Sequence, residues 1–169
     1  MPSGSDRRPF WLLVAGTVII DRVTKVIAER DLLHGPVQVV GDIIRLRLIH
    51  NPGAAFGLGS TIGPASRWIF MAVAILAVAL LWRMSQESPA GDRLRQYALG
   101  FVAGGAVGNL IDRVISSRGV IDFLDVGLSA TGWRWPTFNV ADMAVSCGAV
   151  ALAISLWRED AARRHAASD

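Results

Sequence analysis

Trp68-Ile-Phe-Met-Ala-Val-Ala-Ile-Leu-Ala-Val-Ala-Leu-Leu-Trp82 decides the fold class of this chain. The stretch holds no charge, no proline and no glycine. A tryptophan closes each end, where amphipathic rings favour a membrane–water interface. Counted from Ala65, the run 65–82 approaches the roughly 20 residues that cross a bilayer core. Runs 10–28, 96–111 and 138–157 repeat the pattern. Helices are expected, because an open strand in lipid leaves backbone donors and acceptors without partners. The four runs predict a membrane all-α four-helix bundle, folded as a single domain over 1–169.

The intervening sequence has a different texture. Val37-Gln-Val-Val40, Gly41-Asp42 and Ile43-Ile-Arg-Leu-Arg-Leu-Ile49 read as a β-hairpin over about 37–50. Ile44, Leu46 and Leu48 alternate with Arg45 and Arg47, giving one apolar and one basic face. Such a small extramembrane β-sheet would lie on the membrane surface. Residues 84–95 read as a short hydrophilic loop, and residues 113–137 as a longer one carrying the interfacial anchor Trp133-Arg-Trp-Pro136. The charged, Ala-rich tail from Arg158 is expected to fray.

Composition narrows the function classes. With 52% apolar and 18% charged residues, the chain is too apolar to be disordered. The mean hydropathy of +0.41 leaves a minority of the chain for water or the interface. The net charge of +3 comes without a basic run interleaved with aromatics, so no nucleic-acid partner is expected. The lone Cys147 excludes a disulfide within the chain and reads as a small core residue. Arg7 and Arg8 followed by an apolar run resemble a signal peptide. Asp21, Arg22 and Lys25 stand where a small-residue cleavage site would be needed, so the segment reads as a retained first helix. Lys and Arg density slightly favours both termini in the cytoplasm, which gathers the polar clusters at the outer helix ends.

Those clusters carry the chemistry. They are Asp21-Arg-Val-Thr-Lys25, Asn51-Pro-Gly-Ala-Ala-Phe56, Gly108-Asn-Leu-Ile-Asp-Arg113, Val120-Ile-Asp122 and Phe138-Asn-Val-Ala-Asp142. Burying an ionisable group in a bilayer costs roughly 2.5–3.5 kcal/mol on insertion scales, so such groups need partners and mark candidate sites. No His-Glu-x-x-His zinc motif and no phosphate-cradling glycine loop is present. Carboxylate chemistry remains. Two aspartates such as Asp122 and Asp142 in one dry site cannot both ionise easily and can share a proton, a state suited to peptide hydrolysis. Structural readings stand beside this one. Asp142 can be a helix N-terminal carboxylate, Asp122 a turn residue, and Asp21 with Lys25 an i,i+4 ion pair. Asp112 and Arg113 can orient loops or hold a lipid headgroup. Gly100, Gly104 and Gly108 form a close-packing face that Asp112 continues. A small ion-coupled transporter and a membrane scaffold are the rival functions. The chain lacks the two matched halves of the first, and the second leaves the Asp and Asn pattern without a purpose.

In order and spacing, the five clusters resemble the boxes of the lipoprotein signal peptidase (signal peptidase II) family. The resemblance implies a four-helix aspartyl protease of the bacterial inner membrane with a β-cradle on the periplasmic side. It implies a diacylglyceryl-prolipoprotein substrate, cleavage before the lipidated cysteine, contact with membrane lipid, and inhibition by globomycin-type cyclic peptides. No metal or organic cofactor is implied. Asp122 and Asp142 become the catalytic pair, and Asn51, Gly53, Asn109, Arg113 and Asn139 become positioning or supporting groups. Asp112 would brace Arg113 and nearby backbone, and Asp21 with Lys25 would support the first helix against the site. Arg22 stands where a neutral residue is frequent and is expected to face away from the site.

Overall fold

The computed structural model describes residues 7–53, 65–89, 91–129 and 132–166. Ala54, Ala55 and Phe56 of the second cluster lie outside the described residues, as do both ends of the single domain expected over 1–169. Among the described residues the elements run α1 (Arg8–Asp31), β1 (Val37–Val40), β2 (Ile44–Asn51), α2 (Ala65–Glu87), α3 (Arg93–Ile115), β3 (Val120–Val126) and α4 (Val140–Ala166).

Three of the four helices, α2, α3 and α4, are long and apolar enough to cross a membrane by length and composition. α1 is not among them, because its second half carries Asp21, Arg22, Lys25, Glu29, Arg30 and Asp31. Large apolar side chains line the outer faces, among them Trp68, Val73, Leu76, Val150 and Trp157. Apolar surface on that scale belongs against lipid. Together with the apolar spans it makes this a multi-pass membrane protein. Cys147 lies on that exposed face of α4 and not in the core. An apolar neighbourhood in sequence marks lipid contact here as readily as burial.

α3 packs against all three other helices. A Cβ on Gly100 would lie 2.9 Å from the Phe10 carbonyl oxygen, and one on Gly104 would lie 2.7 Å from the Thr17 Cβ. Both glycines therefore let α1 approach α3 at backbone distance. Gly105 does the same for α4, where a Cβ would meet the Ala141 carbonyl oxygen at 2.3 Å. Phe10, Leu81, Leu99 and Ala103 fill the space between the helices, and the buried pair Ser85–Gln96 ties α2 to α3 with the hydroxyl donating at 2.7 Å.

Three stretches depart from the irregular structure read in the sequence. Within 113–137, the residues Val120–Val126 form β3 and extend the hairpin to a three-stranded antiparallel sheet of order β1-β2-β3. β3 is buried along most of its length on both faces, so it lacks the apolar/polar alternation that identifies a half-exposed strand. The tail from Arg158 does not fray at once. It continues α4 to Ala166, supported by the i,i+4 pairs Glu159–Arg163 and Asp160–Arg164. α2 likewise runs on to Glu87 through the first third of the expected 84–95 loop. The sheet rests on the end of α1, where Ala28, Leu32 and Phe123 make a second small core with Leu46 and Leu48.

Candidate active site

The site forms where β3 meets the first turn of α4. The register places Ile49 opposite Asp122 and Asn51 opposite Val120, so the end of β2 lies beside Asp122. Asn51 Nδ2 donates to Asp122 Oδ2 at 3.0 Å. The next turn needs a glycine. Gly53 has φ +114°, and its backbone N–H donates to Asn51 Oδ1 at 3.0 Å. A Cβ there would meet Phe70 Cε2 at 2.3 Å.

Asn139 and Asp142 form a capping box at the start of α4. The Asp142 N–H donates to Asn139 Oδ1 at 3.0 Å, and the Asn139 N–H donates to Asp142 Oδ2 at 3.2 Å. Asn139 Nδ2 then reaches across the gap to Asp122 Oδ1 at 2.7 Å. Asn139, which is fully buried, therefore touches both carboxylates. Asn109 on α3 completes the link, donating from Nδ2 to Asp142 Oδ1 at 2.8 Å. The structural reading of Asp142 as a helix N-terminal group holds, and the same geometry aims it at the cavity.

Behind this layer lies a frame of buried charge. Lys25 is fully buried, with its Nζ 2.8 Å from Asp21 Oδ2 and 2.7 Å from Asp112 Oδ2, and it donates to Asn109 Oδ1 at 3.0 Å. Asp21 Oδ1 accepts the Ala141 N–H at 2.9 Å, so α1 satisfies a free donor at the α4 N-terminus. Asp112 accepts the Ile121 N–H at 3.2 Å, which ties α3 to β3. Its ionic partners are Lys25 and Arg22, however, not Arg113. Arg22 does not face away. It reaches Asp112 Oδ1 at 3.2 Å from the outside of the bundle. Arg113 instead lies over the Phe70 ring at 5.3 Å and donates to the Asn109 carbonyl at 3.0 Å. Its Nε is buried and has no hydrogen-bond partner among the described residues.

Asp122 and Asp142 line one cavity of about 290 Å³ with Asn51, Asn109 and Arg113. Phe70 and Trp135 form aromatic walls of the same cavity. Sequence reasoning missed both. Phe70 lies in a run that reads only as a membrane span, and Trp135 in a segment that reads only as an interfacial anchor. Burial pushes the Asp122 carboxyl up to about 6. The hydrogen bond from Asn51 opposes the shift, the negative charge of Asp142 adds to it, and Asn139 and Lys25 oppose it. Among the described residues, no group of three or more His, Cys, Asp or Glu is arranged to hold a metal ion.

Comparison with known proteins points the same way. The family model described as Signal peptidase (SPase) II matches residues 13–158. The chain is 38% identical over 149 residues to a lipoprotein signal peptidase from Janthinobacterium sp. (strain Marseille), covering 88% of this chain and 87% of the relative. It is 39% identical over 151 residues to a protein of the same name from Burkholderia mallei (strain SAVP1), covering 89% and 88%. A bacterial membrane enzyme solved by the in meso method at 1.9 Å resolution superposes with a TM-score of 0.79 at 27% identity, over 92% of this chain and 97% of that one. A second such structure, at 2.3 Å resolution, gives 0.80 over 95% and 94%.

Proposed function

The chain belongs to the signal peptidase II family, and from that premise we propose that Asp122 and Asp142 are the catalytic pair with which it removes signal peptides from diacylglyceryl-modified prolipoproteins, cutting before the lipidated cysteine. The observation that carries the assignment is the shared cavity, with Asn139 hydrogen-bonded to both carboxyl groups. One carboxylate takes a proton from a water molecule while the protonated partner hydrogen-bonds the scissile carbonyl. The hydroxide oxygen adds to the carbonyl carbon as the partner's proton passes to the carbonyl oxygen, giving a tetrahedral diol. The C–N bond then breaks as the nitrogen takes up a proton from the pair. No covalent enzyme intermediate forms. A raised Asp122 supports this reading, since it holds a proton on the pair to higher pH than an ordinary carboxyl would.

The remaining residues take supporting roles. Asn51 and Asn139 orient Asp122, Asn109 and Asn139 orient Asp142, and Gly53 sets the turn that brings Asn51 in. Arg113 offers its unpaired buried Nε to a substrate carbonyl, because an unmet donor at that depth costs about 1–3 kcal/mol. Asp21, Lys25 and Asp112 fix the helices behind the site.

α1 completes a four-span bundle, because its buried charges face α3 and α4 and its other faces expose Ile19, Ile20 and Val23. Both termini lie in the cytoplasm, and the sheet and cavity face the periplasm across the inner membrane. The substrate's signal helix enters from lipid, and its diacyl chains stay there. Globomycin-type cyclic peptides occupy the same cavity. No metal or organic cofactor takes part.

The test is cleavage of lipidated and unlipidated prolipoprotein by the protein in detergent or bilayer. Asp122→Asn and Asp142→Asn should each lower turnover by at least about three orders of magnitude, with the fold retained by circular dichroism. Turnover near the unmodified rate in either variant removes that residue from the pair.

A further inference from the structure

Asp122 has a second carboxylate three residues along the same strand. Asp125 is 3% exposed, and the odd spacing puts it on the opposite face of β3 from Asp122. Arg45, its cross-strand neighbour on β2, pairs with Asp125 Oδ2 at 2.8 Å. Arg134 Nε pairs with Asp125 Oδ1 at 2.5 Å. Both arginine side chains are only 15% exposed. None of the three belongs to the five polar clusters, and the hydrolysis above uses none of them.

Arg134 spends the rest of its guanidinium on backbone. Nη1 donates to the carbonyls of Asp42 at 2.8 Å and Ser129 at 2.9 Å, and Nη2 donates to the Asp125 carbonyl at 3.1 Å. One side chain thus ties together the β1–β2 turn, β3 and the segment that leaves β3. Packing is tight around it. A Cβ on Gly127 would lie 2.7 Å from Arg134 Cγ. The next residue, Trp135, donates its N–H to the Val126 carbonyl at 2.8 Å, and with Pro136 it lines the cavity. Trp135 is 55% exposed, with the Trp133 ring edge-on at 6.0 Å. That part of the cavity wall is held before Trp135 by Arg134 and after Pro136 by Phe138, whose backbone exchanges hydrogen bonds with Leu124 at 2.8 and 3.0 Å.

We propose that Arg45, Asp125 and Arg134 are positioning residues that hold Trp135 and Pro136 against the bound substrate and so set substrate affinity without entering the chemistry. The inference rests on the peptidase reading of the cavity. A rigid cavity wall restricts how the substrate can lie, which is a binding term shared by ground state and transition state. Lysine cannot stand in for Arg134, since its compact ammonium lacks the planar fork that serves a carboxylate and three carbonyls together.

The experiment is steady-state cleavage of lipidated prolipoprotein by Arg134→Ala, Arg134→Lys, Trp135→Ala and the Arg134→Ala/Trp135→Ala pair. Arg134→Ala and Trp135→Ala should each raise KM on the order of tenfold with kcat within about twofold, the mark of lost uniform binding. Arg134→Lys should not restore KM. The double variant should show a KM no higher than Trp135→Ala alone, because both changes remove one wall. An unchanged KM in Trp135→Ala, which alters only a half-exposed side chain, overturns the proposal, and so do additive effects in the double variant. A lower melting temperature with unaltered KM in Arg134→Ala reduces the cluster to a structural brace. Failure of the peptidase reading itself would show elsewhere, as retained turnover in Asp122→Asn or Asp142→Asn.

Discussion

At the scale of single residues, the account turns on Asp122. Its carboxyl is raised to about 6 by burial, against a hydrogen bond from Asn51 and with help from the Asp142 charge. A raised carboxyl keeps its proton to higher pH, so the singly protonated pair persists up to about 6 and is lost above it. We predict a kcat/KM profile that falls on the basic side with an apparent midpoint near 6. Asn51→Ala removes a hydrogen bond that favours the ionised form, so this limb should move to higher pH. A limb that stays put or moves lower in Asn51→Ala contradicts the assigned geometry. Much of the site at this scale was legible in the sequence, because Asp, Asn and Arg are conspicuous in apolar surroundings. Partner choice was not. The Asp112–Lys25 pair and the exclusion of Arg113 from it depend on how α1 and α3 face each other, which cluster spacing does not encode.

At the scale of elements, helices were easier to read than strands. α2 and α4 announce themselves by unbroken apolar runs, and the Asn139–Asp142 spacing contains its own capping box. β3 was hidden because burial on both faces removes alternation and because Asp122 and Asp125 resemble turn residues. The glycines of α3 read correctly as packing devices, and they yield a graded prediction. Gly105→Ala puts a Cβ 2.3 Å from the Ala141 carbonyl oxygen, beside Asp142, so α4 must shift. It should cost about 1–3 kcal/mol, seen as a lower melting temperature in detergent, together with a fall in kcat. Gly16→Ala on α1 meets nothing within 4 Å and should be neutral or stabilising by about 0.5–1 kcal/mol. Equal effects of the two substitutions would contradict the packing described for α3 and α4.

At the scale of the whole molecule, a small sheet rests on the end of α1 beside three apolar helices, and the cavity forms only because they meet. Asp122 comes from the sheet and Asp142 from α4, while α1 supplies Asp21 and Lys25 behind them. The assembled fold brings Asp122 to Asn139 and so to Asp142, and the coupling of the two carboxyl groups therefore reports on it. The direct measurement is a carboxyl-carbon NMR titration of Asp122 in the folded protein, repeated in Asp142→Asn. The midpoint should lie near 6 and move down when the Asp142 charge is removed. A midpoint in the ordinary carboxylate range, unmoved by Asp142→Asn, would contradict that coupling.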